Sequence, residues 1–124
     1  MTKLLLIDDE PRVARALEYA MNGRGVDLRA TRDSAAAMAA ATHDAPDAIL
    51  LDVNLGGEDG LELCRALKSD ERTRHVPVLL LSGNVDEATK AAGFAAGADD
   101  FIAKPFVAGD LLARVAAQLE RVRR

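Results

Sequence analysis

The stretch Leu4-Leu5-Leu6-Ile7-Asp8-Asp9-Glu10-Pro11 decides the fold. Four consecutive apolar residues without alternation read as a strand buried on both faces, the habit of a parallel sheet. Three acids and a proline then break the run. Pro11–Asn22 places Val13, Leu17, Ala20 and Met21 at helical spacing. Asp9, Glu10 and Pro11 supply a cap, a first-turn acid and a first-turn proline, and Gly23 and Gly25 end the helix. A buried strand running directly into an amphipathic helix is half of a β-α-β unit.

The alternation continues outward from there. Apolar runs recur at Val26–Ala30, Ala48–Leu51, Val78–Leu81 and Phe101–Ala103. Asp27 and Arg29 interrupt the first of these, which suits an edge strand. Helical patterns lie between the runs: Asp33–Thr42, alanine-rich with Asp33 or Ser34 as cap; Leu61–Lys68, with Leu61, Cys64 and Leu67 on one face; and Asp86–Ala96. Leu111, Val115, Leu119 and Val122 stripe a last helix with Asp110 near its start. This order predicts an α/β fold, a doubly wound five-stranded parallel sheet with helices on both faces.

The chain has 124 residues, which suits one domain over residues 1–124 and a core that needs no disulfide. Its single cysteine, Cys64, excludes an internal disulfide and reads as core. The net charge of −4 argues against direct nucleic-acid binding. No apolar run approaches the length of a signal core or a membrane span, so a cytoplasmic location away from the membrane is expected.

In an open parallel sheet the site lies at the carboxyl ends of the strands. The residues just past each run are Asp8, Asp9 and Glu10, then Asp52, then Ser82 and Gly83, then Lys104 and Pro105. Carboxylates gathered there repel one another, and Lys104 offsets only one charge. Hard oxygen donors suit Mg²⁺ rather than zinc. An acidic pocket holding Mg²⁺ beside an ammonium and a hydroxyl is suited to phosphoryl transfer. Asp52 is the expected nucleophile, because it follows a central buried run and has no acidic neighbour.

These residues carry a family resemblance. The pieces Leu5–Glu10, Ile49–Leu55, Gly60, Leu79–Gly83 and Gly97–Phe106 resemble, in order and spacing, the receiver domains of bacterial response regulators. The resemblance implies a flavodoxin-like receiver fold with Asp52 as phosphoacceptor. It implies that Asp9 binds Mg²⁺ directly and Asp8 through water, with the backbone carbonyl of Asn54 as a further ligand. Lys104 would contact the phosphoryl oxygens, and Ser82 would swing toward them. Phe101 would follow inward as the aromatic switch, and the Lys104–Pro105 bond would be cis. The phosphodonor would be a histidine kinase or a histidine phosphotransfer protein. The helix-strand-helix face from Asp86 to Leu119 would change, altering affinity for a partner or a second copy.

The chain departs from the family at three places. Gly56, followed by Gly57, stands where proline is common, which predicts a more mobile Leu55–Gly60 loop. Ser82 replaces threonine, and Phe101 replaces tyrosine. A rival reading is a small Mg²⁺-dependent phosphohydrolase with an aspartate nucleophile. Such enzymes place an acid two residues after the nucleophile, and Asn54 cannot shuttle a proton. A nucleotide- or flavin-binding domain would need a glycine-rich loop after the first run, and the acids stand there instead. A receiver-like interaction module without phosphorylation is the third rival. His43 and His75 read as loop surface residues. Gly93 inside its helix either permits close packing or makes that helix marginal. Arg121, Arg123 and Arg124 suit the negative end of the last helix dipole.

Overall fold

Every apolar run becomes a strand, and every strand is longer than its run. In the computed structural model, which describes residues 1–122, the chain forms β1 (Thr2–Ile7), α1 (Pro11–Met21), β2 (Val26–Thr31), α2 (Ser34–His43), β3 (Ala48–Asp52) and a ribbon of β4 (Asn54–Leu55) and β5 (Glu58–Asp59). Then come α3 (Gly60–Ser69), β6 (Val78–Ser82), α4 (Glu87–Ala95), β7 (Asp100–Ala103) and α5 (Ala108–Val122). The extra residues are polar ends that the backbone ladder carries past the apolar core. Asp52 still pairs with Leu81, and Ser82 with Ala103.

The main sheet runs β2-β1-β3-β6-β7, with every neighbouring pair parallel. This is the expected five-stranded doubly wound sheet, with β2 at an edge. Alternate residues of each strand face opposite sides. Leu5, Ile7, Ile49, Leu51, Val78 and Leu80 meet α2 and α3 on one face. Leu4, Leu6, Leu50, Leu79 and Leu81 meet Leu17 and Met21 of α1 and Leu111 and Val115 of α5 on the other. β3 and β6 are buried along their whole length because both faces are covered. No helix among the described residues is long and apolar enough to cross a membrane.

The starts of α2, α3 and α4 follow side-chain chemistry, and that of α1 does not. Asp33, Asp59 and Asp86 cap α2, α3 and α4 by accepting from Ala36, Leu61 and Thr89 backbone N–H groups at 2.8, 2.9 and 2.7 Å. At α1 neither Asp9 nor a first-turn acid serves. Glu10 occupies the cap position without a side-chain bond, and Pro11 opens the helix. The carboxylates there turn toward the strand ends instead. His43 is the last residue of α2 rather than a loop residue, because the alanine-rich helix runs one residue further than its pattern. His75 lies in the α3–β6 loop. Cys64 is fully buried, and burial pushes its thiol up to about 11. Arg121 donates to Asp99 Oδ1 at 2.6 Å. Arg123 and Arg124 lie outside the described residues.

Gly93 permits close packing. It is the one buried residue of α4, and a Cβ there would sit 2.7 Å from Leu80 Cδ1 and 3.3 Å from Phe101 Cδ2. The helix therefore approaches the sheet through a notch. Gly93→Ala is expected to destabilise by about 1–3 kcal/mol, the usual cost of overpacking. Gly109→Ala in α5, where a Cβ meets nothing within 4 Å, should instead stabilise by about 0.5–1 kcal/mol. Urea unfolding midpoints of the two variants test the contrast.

Candidate functional site

The parallel register brings four strand ends to one edge. β3 ends in Asp52, and β1 is followed by Asp8; both are buried, at 5% and 2% exposure. β6 ends in buried Ser82. Lys104 follows β7, and its N–H donates to the Ser82 carbonyl at 2.8 Å, which carries the ladder one residue further.

The Lys104 ammonium lies between two carboxylates. Nζ donates to Asp8 Oδ2 and to Asp52 Oδ2, each at 2.9 Å, and stands 3.9 Å from Glu10 Oε1. The other oxygens of the two aspartates accept backbone N–H groups, Asp8 Oδ1 from Glu10 at 2.9 Å and Asp52 Oδ1 from Asn54 at 3.0 Å. Burial raises the Asp8 carboxyl above its ordinary 3.8, with the neighbouring Asp52 charge adding to it; the Glu10 N–H and Lys104 bonds oppose this without reversing it. Burial alone would lower the Lys104 ammonium. The hydrogen bonds and charges of Asp52 and Asp8 outweigh it and hold the group above 10.5.

Oxygens of Asp8, Glu10 and Asp52 all lie within 4.8 Å of one another. Three carboxylates thus face one ammonium, a deficit that a divalent cation would close. Glu10 is the member that sequence reading missed, having been assigned to the helix start. In the structure Glu10 holds the cap position without a side-chain capping bond, which leaves its carboxylate for the site. Asp9 is half-buried on the wall of the same cavity, of about 330 Å³, with Asn54, Gly56 and Gly83. It lies toward the ribbon turn, where a Cβ on Gly56 would come 3.1 Å from its Oδ2.

The Leu55–Gly60 segment forms the β4–β5 ribbon around Gly56, whose φ of +64° suits glycine. Gly60 packs against the β3 end so closely that a Cβ would meet the Asp52 carbonyl at 2.3 Å. The Ser82 hydroxyl donates to the Asn84 carbonyl and accepts from the Asn84 N–H, both at 3.0 Å. It is engaged with the following loop rather than with Asp52. Phe101, expected to turn inward, is already inside and packed into the core. The Lys104–Pro105 bond is cis. A second cavity, of about 610 Å³, runs from Asp52 past Ser82 and Asn84 to Ala88 and Ala92 of α4.

Residues 4–116 match the response regulator receiver domain family. Among similar curated proteins, the DNA-binding response regulator MtrA of Mycolicibacterium smegmatis is 36% identical over 119 residues, 96% of this chain and 51% of that protein. The DNA-binding dual master transcriptional regulator RpaA of Synechocystis is 38% identical over 124 residues, 100% of this chain and 52% of that protein. The chain thus spans about half the length of these relatives. The signal receiver domain of a histidine kinase from Syntrophus aciditrophicus superposes with a TM-score of 0.89 at 31% identity, covering 100% of this chain and 94% of that one.

The raised Asp8 carboxyl sets a pH dependence. Such a group contributes stability that is present below 3.8 and lost as pH rises through the higher folded value. Asp8→Asn is therefore expected to unfold at higher urea than the parent at pH 7 in chelator. The gap should close as pH falls toward 3.8. A parent that is the more stable of the two at pH 7 would contradict this reading.

Proposed function

Since the chain belongs to the response regulator receiver family, we propose that Asp52 accepts a phosphoryl group and that the chain relays the signal by changing shape. The observation that carries this reading is the Lys104 ammonium bonded at 2.9 Å to both Asp8 and Asp52 at the carboxyl edge of a parallel sheet. Residues 1–124 are read as one receiver domain. The donor is a phosphohistidine on a histidine kinase or histidine phosphotransfer protein. A carboxylate oxygen of Asp52 attacks phosphorus, the donor P–N bond breaks with its electron pair going to imidazole, and a P–O bond forms an acyl phosphate. Lys104 is placed to pair with the phosphoryl oxygens. The Ser82 hydroxyl would exchange Asn84 for one of them, with Gly83 leaving room beside it.

The donor set fits Mg²⁺. Hard carboxylate oxygens converge within 4.8 Å and carry more negative charge than Lys104 offsets. Asp8, Asp9, Asp52 and the Asn54 carbonyl are the proposed holders, with Glu10 added by the geometry. When bound, Mg²⁺ neutralises charge on the transferring oxygens.

The site acts on its own carboxylate, so the chain is read as a regulatory phosphoacceptor rather than a turnover enzyme. Asn54 supports this, since no acid stands there to protonate a leaving group. The output surface is the α4–β7–α5 face from Asp86 to Leu119, through which a partner or a second copy is bound. Phe101 is the proposed aromatic switch at its centre. Binding to DNA is part of the names of two relatives. For this stretch, with a net charge of −4, no direct nucleic-acid contact is proposed. A cytoplasmic location belongs to the same reading.

Intact mass after incubation with acetyl phosphate and Mg²⁺ tests the proposal. One added phosphoryl group is expected on the parent, and none on Asp52→Asn or with chelator. An adduct that persists in Asp52→Asn would place the chemistry elsewhere.

A further inference from the structure

The β4–β5 ribbon carries Asn54 beside the acidic site, and its turn holds two glycines, Gly56 and Gly57. Most of its anchors lie on one side. Leu55 is buried in the core, Asp59 caps α3, and the Gly60 N–H donates to the Val53 carbonyl at 2.9 Å. Toward α2 there is a different link. Glu58 Oε1 accepts the Ser34 backbone N–H at 2.9 Å across 24 residues of sequence. Among the described residues, it is the one hydrogen bond from ribbon residues 54–59 to an element other than β3 and α3.

Ser34 opens α2, so its N–H has no partner within the helix. The Asp33 cap takes the Ala36 N–H and leaves the Ser34 N–H to Glu58. This bond staples the glycine-containing ribbon to α2.

We propose that Glu58 is a positioning residue, which fixes the ribbon against α2 and thereby holds the Asn54 backbone where the site needs it. This inference rests on the assignment of Asn54 to the Mg²⁺ site. Glu58 itself acts through the ribbon and touches no reacting group. Its glutamine variant keeps an acceptor oxygen while removing the charge, and its alanine variant removes both.

The test is Mg²⁺ titration of the parent, Glu58→Gln and Glu58→Ala, followed by amide NMR shifts, with amide hydrogen exchange in chelator as a second readout. Glu58→Ala is expected to weaken Mg²⁺ binding roughly five-fold, the scale of one ordinary hydrogen bond. It should also speed exchange at Asn54. Glu58→Gln should stay within about two-fold of the parent in binding and match it in exchange. Equal affinity and exchange in parent and alanine variant would overturn the inference. So would equal weakening in the glutamine and alanine variants, because charge alone would then be the cause. If the parent binds no Mg²⁺, the metal assignment fails by itself. Exchange at Asn54 then decides the staple, with faster exchange in Glu58→Ala supporting it and no change overturning it.

Discussion

One ammonium shared between two buried carboxylates organises this molecule. Lys104 reaches Asp8 and Asp52 across strands that the chain visits at its beginning, middle and end. The parallel sheet, with β1 beside β3 and β7 beside β6, brings those three residues together. The contact also leaves the edge short of positive charge. Removing carboxylates from water is costly, and a partly compensated cluster stores that cost where a cation can relieve it. The cores on the two faces of the sheet make such a cluster tolerable, since they hold the strand ends in register whatever the charges prefer.

Much of this was legible in the residues. Leu4–Ile7 and Ala48–Leu51 lack alternation because both their faces are covered, and continuous apolarity marks a parallel strand. Asp8, Asp52, Ser82 and Lys104 follow their runs directly, so the rule for open sheets was enough to gather them. Glu10 was missed because a helix-start pattern explained it equally well, and only its unused carboxylate in three dimensions separates the two roles. The Leu55–Gly60 segment read as a mobile loop since glycines announce freedom without saying what limits it. The limits are a buried Leu55, the contact of Gly60 with the β3 end and a long-range bond from Glu58, none of which has a local pattern. Strand ends extended past the apolar runs for a similar reason: backbone pairing continues wherever a neighbour is present.

Phe101 and Gly93 show how an aromatic ring is fitted beneath a helix in a packed protein. The aromatic ring lies inside because α4 offers a notch in place of a side chain. α4 buries little else, so it is coupled to the sheet through few contacts. Its neighbour cavity opens at Asp52 and runs beneath Ala88 and Ala92. The Asp52 carboxylate and α4 therefore border one space.

The edges of the sheet have a consequence for contact with other chains. An open sheet offers two rows of unpaired backbone groups, and a long apolar edge invites another chain to add a strand. Here β2 carries Asp27 and Arg29 outward, with Arg29 tied to Asp44 at 2.5 Å. The opposite edge, β7, is four residues long, begins at Asp100 and is held there by Arg114 at 2.8 Å. Charge at one border and brevity at the other discourage strand addition to a sheet whose inner strands are rich in leucine, isoleucine and valine.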